Sequence, residues 1–332
     1  MIAAQIVAPE QARVIEIDEP RPAPNEVLIA VRRAGVCGTD LHIMSGDYFA
    51  SYPLVPGHEF CGVVQAVGAG VTRFAPGDRV TADPNIACEQ CDECARGAFN
   101  QCRNLGTIGV TMPGAFAPLV VVPEQNVFAL GDLSDEQGAF VEPLACVAWG
   151  LKRVQPPQGA RALVFGAGPM GCLLFQALLA TGVAEVAVAD PSVWRLERAA
   201  ALGATHTLSG SHAELRALAP AGFDLVVDAT GIPAVVARAP EYVRPQGTIW
   251  VFGVCPIDAT VPISPYDIFR RDLRVVGSFA LNRTFPESLA LLQNGGVRVE
   301  PLISHTLPLS EFAHGLALAR SAPDRMKVQF VP

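Results

Sequence analysis

At 332 residues, half of them hydrophobic and 17% charged, the chain holds more apolar material than one compact core uses and too little charge for extended disorder. A formal net charge of -8 offers no attraction to phosphate backbones or anionic membranes. No apolar run approaches a membrane span, the start Met1-Ile-Ala-Ala-Gln lacks a basic segment ahead of a long apolar one, and nine cysteines, several at metal spacing, suit a reducing compartment. The expectation is a soluble, cytoplasmic protein of two domains that binds neither nucleic acid nor membrane.

The first 35 residues alternate as strands do: Ala12 to Asp18, a Pro-rich turn from Pro20 to Pro24, then Glu26 to Val31, with Gly35 delivering Cys37. Thr39 and His42 lie three apart on a short helical turn, where they can share a face. Beyond Gly62, short strands broken by Gly68, Gly70 and Pro76-Gly77-Asp78 continue to about Val127, which predicts a β-rich, barrel-like domain.

From Arg161 the texture changes to alternating strand and helix. Ala162 to Phe165 is a strand, Gly166 to Gly171 a tight turn, and Cys172 to Ala180 an apolar helix. Strands at Glu185 to Asp190, Phe223 to Asp228, Gly247 to Gly253 and Leu273 to Gly277 follow, with helices near Val193 to Leu202 and Ala234 to Ala239 between them. That alternation predicts a parallel sheet covered by helices on both faces, so the fold class is α/β. A helix at Glu287 to Leu292 and a segment from Ile303 to Leu309 are expected to rejoin the first domain.

Three constellations carry chemistry. Cys37-Gly-Thr-Asp-Leu-His42 and Gly57-His-Glu-Phe-Cys-Gly62 gather thiol, imidazole, carboxylate and hydroxyl groups within about one hairpin's reach. Cys37, His58 and an acidic residue are a ligand set that zinc prefers, and three protein ligands with an open fourth position make a catalytic centre. For any one residue alone, a buried cysteine or a turn histidine is the plainer reading. Thr39 with His42 gives a proton an exit towards solvent, and Asp40 is placed either to accept the second N–H of His58 or to start the helix.

Cys88-x2-Cys91-x2-Cys94-x7-Cys102 puts four thiols within fifteen residues, enough to fill a tetrahedral zinc completely and leave no position for substrate. Glu89, Asp92 and Glu93 on that loop argue against a nucleic-acid ribbon, so this zinc is expected to be structural. Gly166-x-Gly168-x-x-Gly171, with Pro169 and Met170 inside it, follows a strand and opens a helix, and Asp190 ends the next strand 19 residues past the last glycine. This is the dinucleotide fingerprint in its required context. The Asp190 carboxylate repels a 2′-phosphate, which favours NAD over NADP, while Arg195 can soften that preference or lie against the adenine.

Together these motifs resemble the zinc-containing medium-chain dehydrogenase/reductase family, over nearly the whole chain. The resemblance implies a GroES-like catalytic domain over 1–148 with a structural-zinc lobe at about 85–105, a Rossmann NAD-binding domain over 149–284, and a C-terminal return over 285–332. It implies Cys37 and His58 as catalytic-zinc ligands, Thr39 and His42 as the proton relay, four cysteines on a second zinc, and a homodimer or homotetramer. The motif Val141-Glu142-Pro-Leu resembles the sorbitol, arabitol, threonine and galactitol-phosphate branch, in which the Glu59 equivalent ligates zinc and the Glu142 equivalent reaches it directly or through water. Cys146 is a rival one helical turn away and is read as core.

Phe252, Gly253 and Phe279 belong to the expected cofactor site. Ala280 stands where sorbitol-type enzymes carry an arginine that touches the polyol, which weighs against sorbitol itself. The expected activity is hydride transfer between a secondary hydroxyl of a polyol or sugar alcohol and NAD. The alternatives are a primary-alcohol or L-threonine-type dehydrogenase, and a non-enzymatic dinucleotide or zinc sensor.

Overall fold

The computed structural model describes residues 1–332, and the chain divides into two compact units. The first comprises Met1–Ala145, Asn282–Gln293 and Val299–Pro332; the second comprises Cys146–Leu281 and Asn294–Arg298. No helix is long and apolar enough to cross a membrane.

The first unit is built on a seven-stranded sheet ordered Ile303–Pro308, Lys327–Val331, Glu26–Gly35, Glu59–Val67, Arg79–Ala82, Val127–Ala129, with Leu119–Pro123 also paired to Glu26–Gly35. The ten-residue strand Glu26–Gly35 is its spine, antiparallel to three neighbours. Its Val27, Ile29 and Val31 alternate into a core shared with Val64, Val122 and Phe60. Phe116, Phe312 and Phe330 close that core, with centroids 5.3 to 5.6 Å apart. The C-terminal return thus completes the sheet begun near the N-terminus, and Gln329 pairs with Gly35.

The second unit is a six-stranded, wholly parallel sheet ordered His206–Leu208, Glu185–Ala189, Arg161–Phe165, Phe223–Asp228, Val243–Val251, Arg274–Gly277. In chain order those strands read third, second, first, fourth, fifth, sixth, the doubly wound arrangement of a dinucleotide fold. Ala162 to Phe165 is buried throughout, so its sequence is a continuous apolar run rather than an alternation. Pro169 sits in the first turn of the helix Pro169–Ala180, where its missing N–H costs nothing. Arg274–Gly277 is an edge strand with Val275 exposed.

Candidate metal and cofactor sites

The first site begins where the spine strand ends. Cys37 is the extended N-cap residue of the helix Gly38–Ser45, and the Asp40 carboxylate accepts the Cys37 backbone N–H at 2.8 Å. Gly46 in the left-handed region (φ 85°) stops the helix after two turns. The Cys37 thiol therefore stands beside the helix N-terminus, and it donates to the Thr39 hydroxyl across 3.8 Å. His42 follows on the same helix, half-buried and one turn further from the cap.

The adjacent strand Glu59–Val67 supplies the facing groups. The ligand atoms of Cys37, His58 and Glu59 all lie within 4.8 Å of one another, and Glu142 stands outside that set. Glu59 fits because Gly35 faces it: a Cβ there would lie 2.4 Å from Glu59 Oε2. His58, Glu59 and Glu142 are all buried. Glu142 opens the helix Val141–Val154, where a carboxylate complements the helix dipole.

Lys327 is the residue that sequence reasoning missed. Its buried ammonium donates to both Glu59 oxygens, at 2.8 and 2.7 Å, and to the Val36 carbonyl at 3.1 Å. The only local signal is one lysine in the strand Lys327–Val331, and its inward register becomes legible only through the pairing with Glu26–Gly35.

The electrostatics of this cluster call for a cation. Burial lifts Glu142 from 4.5 to about 7 and also raises Asp40. Burial opposes the His58 imidazolium, yet Cys37, Asp40 and Glu142 outweigh it and hold its pKa well above the ordinary value. Three carboxylates and a thiol thus surround one lysine and one imidazole.

His58 Nδ1 and Asp40 Oδ1 lack hydrogen-bond partners and lie 3.7 Å apart, too far to bond each other. Of the two roles open to Asp40, the structure therefore shows the bond to the helix cap and not the one to His58. Sulfur, imidazole nitrogen and carboxylate oxygen within 4.8 Å, in a pocket short of positive charge, fit a zinc ion.

The four cysteines of the lobe also converge. The ligand atoms of Cys88, Cys91, Cys94 and Cys102 lie within 4.8 Å of one another, with the Cys91 sulfur 3.6 Å from that of Cys94 and 4.0 Å from that of Cys102. Backbone N–H groups of Cys88 and Asn104 point at the Cys102 sulfur, at 3.2 and 3.4 Å. Those of Arg103 and Cys94 lower Cys91 to about 6 and that of Gln90 lowers Cys88, whereas burial raises Cys94 to about 12, so the fold favours the thiolate at Cys88 and Cys91 and opposes it at Cys94. Asn282 bonds Phe99 N and Gly97 O, and Arg283 lies 3.5 Å over the Phe99 ring and pairs with Glu89.

The second unit holds the glycine-rich turn. Gly166 adopts φ 101°, Gly168 caps the helix Pro169–Ala180, and a Cβ on Gly171 would meet the Gly166 carbonyl oxygen at 1.8 Å. Asp190, buried, accepts from Ala167 N and Ser192 N at 2.8 Å each, and Arg195 approaches its Oδ2 at 3.8 Å. Gly166 and Asp190 line a cavity of about 210 Å³ together with Phe165, Ile232 and Arg238. Met170 is half-buried in the first turn of that helix. Phe252 sets its ring edge-on to Trp250, Gly253 N donates to Asp228 O at 2.8 Å, and Phe279 is 50% exposed.

Cys146, expected in the core, is half-buried on the helix Val141–Val154, one turn beyond Glu142.

The sequence matches the alcohol dehydrogenase GroES-like domain over residues 23–132 and the zinc-binding dehydrogenase domain over residues 169–294. It is 40% identical to D-altritol 5-dehydrogenase of Agrobacterium fabrum over 99% of both chains. Among solved structures, a protein of Sinorhizobium meliloti 1021 bound to NADP superposes with a TM-score of 0.96 at 32% identity, covering 100% of this chain and 99% of that one. The rspB alcohol dehydrogenase of Escherichia coli CFT073, complexed with NADH, gives 0.94 at 31% identity with the same coverage. With two domain matches spanning both units and a relative at 40% identity along its full length, the chain belongs to the zinc-binding dehydrogenases with a GroES-like alcohol dehydrogenase domain.

Proposed function

We propose that this protein is a zinc-dependent oxidoreductase that transfers hydride between a secondary hydroxyl of a polyol or sugar alcohol and NAD, giving the ketose. The observation that carries this reading is the convergence of Cys37, His58 and Glu59 within 4.8 Å, with the Thr39 hydroxyl 3.8 Å from the Cys37 sulfur. The polyol class is supported by the likeness to an altritol dehydrogenase and by the polar, carboxylate-rich surroundings of the cluster.

In this reading Cys37, His58 and a carboxylate hold a catalytic zinc, and Cys88, Cys91, Cys94 and Cys102 hold a structural one. Bound zinc supplies Lewis-acid polarisation of the substrate oxygen. Glu59 spends one lone pair of each oxygen on Lys327 and keeps others for a metal, while Glu142 is the reserve carboxylate. Thr39 would relay the hydroxyl proton, its own proton passing on as it takes the substrate's, with His42, one turn on along the same helix, as the acceptor. A sensor has no use for that exit.

In the second unit the glycine turn and the helix N-terminus at Pro169 take the pyrophosphate, and Asp190 takes the ribose hydroxyls. Its carboxylate is the reason for preferring NAD over NADP. Gly253 and Phe279, with Phe252, belong to the nicotinamide side of the cofactor.

The protein is further proposed to be a homo-oligomer. The edge strand Arg274–Gly277 offers unpaired backbone groups, and Val254, Ile257, Tyr266, Phe269 and Val275, within the stretch 254–275, are 44 to 84% exposed.

Turnover assays with NAD and a panel of polyols, simple alcohols and threonine, following NADH absorbance, test the activity. Reduction of NAD with a polyol, and none with ethanol or threonine, is expected. A fully metallated protein that turns over no member of the panel contradicts it.

A further inference from the structure

The cavity that takes the fingerprint's nucleotide has one wall that the motif does not mention. Val235 and Arg238 are three residues apart on the helix Pro233–Tyr242 and both line it, Arg238 being opposite in charge to Asp190. Arg238 is not left to wander. Its Nη2 donates to the hydroxyl of Tyr242, one turn on, and its guanidinium carbon lies 5.5 Å from the centre of that ring.

Tyr242 is itself fixed. It is 1% exposed, its ring packs 5.7 Å from Phe165, which lines the same cavity, and its hydroxyl lies 3.2 Å from His212 Nδ1. No carboxylate pairs with Arg238, so the braced cation keeps its charge for whatever enters. The glycine turn accounts for the pyrophosphate and Asp190 for the ribose. What remains is the base, and the lining left for it is mainly apolar (Pro191, Ile232, Val235) with the Ser209 and Thr230 hydroxyls and one cation, Arg238. A guanidinium against an aromatic face in a partly dry site is an attractive pairing.

We propose that Arg238, braced by Tyr242, is a cofactor-binding residue that closes over the adenine base of the bound dinucleotide. This rests on the dinucleotide reading above. A contact with a 2′-phosphate is the rival use of the same cation, and Asp190 at the ribose end disfavours it.

Calorimetric titration of the full-length, metallated protein with ADP-ribose, which carries the base but no 2′-phosphate, separates the cases. Arg238→Ala is expected to weaken ADP-ribose binding by roughly tenfold. In turnover it raises KM for NAD and leaves kcat and the KM for the alcohol in place. Tyr242→Phe, which frees the guanidinium without removing it, is expected to weaken binding by only about two- to threefold. Arg238→Lys recovers part of the loss.

Thermal midpoints without ligand are the control, because Arg238 is exposed and its removal leaves the fold intact. Unchanged ADP-ribose affinity in Arg238→Ala overturns the inference, as does a loss confined to NADP, or losses that merely follow falling thermal midpoints. Wild-type protein that fails to bind ADP-ribose overturns the dinucleotide reading as well, which tells the two failures apart.

Discussion

Lys327→Met removes one ammonium and keeps the length of the side chain, and its consequence can be worked from the contacts. Nζ makes three hydrogen bonds, two of them to a carboxylate whose side chain is 1% exposed. Without Lys327, Glu59 is a buried anion with no opposite charge bonded to it. Removing one partner of a buried pair costs about 3–5 kcal/mol, most of it the stranded charge rather than the lost attraction. For a cooperative unit of this size each kcal/mol moves the midpoint by about 2–4 °C, so a fall on the order of 10 °C is expected.

The assay is scanning calorimetry of metal-stripped protein, so that no ion rescues Glu59. Adding Glu59→Gln in the same chain removes the stranded charge and should recover most of the loss, a non-additivity of a few kcal/mol. A single mutant that melts within about a degree of wild type rules out a stranded Glu59 charge, and so does a double mutant whose loss equals the sum of the singles.

Burial lifts Asp83 from 3.8 to about 7, against the backbone N–H of Asn85 and the Arg283 charge, which act to lower it. Between those values the native state holds a proton that the unfolded chain releases, so this residue costs stability as pH rises from about 4 to 7. Asp83→Asn should therefore be the more stable protein at pH 8, by up to about 4 kcal/mol, with the gap closing below pH 4; denaturant melts at several pH values check it, and a pH-independent difference rules it out. Asp190→Ala should move the ratio of kcat/KM values from NAD towards NADP by on the order of tenfold or more, since a like charge leaves the ribose end. An unaltered ratio removes Asp190 from that role. Val275→Lys places charge on the exposed edge strand and should yield a species sedimenting at the 35.0 kDa monomer mass, where wild type is heavier; a wild type already at that mass sinks the oligomer.

What could be read from the chain was what is local in it. The four lobe cysteines fall within fifteen residues, and the glycine turn with its flanking strand and helix spans a single supersecondary unit, so spacing alone places those side chains together. The alternation of strand and helix likewise made the parallel sheet legible, because each element announces itself by its own period. Lys327 and Glu59 are 268 residues apart, and nothing in either neighbourhood says that they meet. Their contact depends on the register of Lys327–Val331 against Glu26–Gly35, and a shift of one residue turns the lysine to the other face.

Gly35 was legible as a strand end but not as the space that Glu59 fills. Arg238 was hidden for a related reason: an exposed arginine on a short helix reads as a solvated charge until the cavity beside it is known. Asp40 was read by spacing as a helix start or a histidine partner, and its geometry at the third position of the helix favours the cap.

On the function proposed above, Cys37, His58 and a neighbouring carboxylate form a second metal centre, separate from the four-cysteine lobe. Elemental analysis of purified wild-type and Cys37→Ser protein tests it most directly. Two zinc ions per chain are expected in the wild type and one in the variant, with the four-sulfur ion and the fold retained. One zinc per chain in active wild-type enzyme, or an undiminished two in Cys37→Ser, would contradict it.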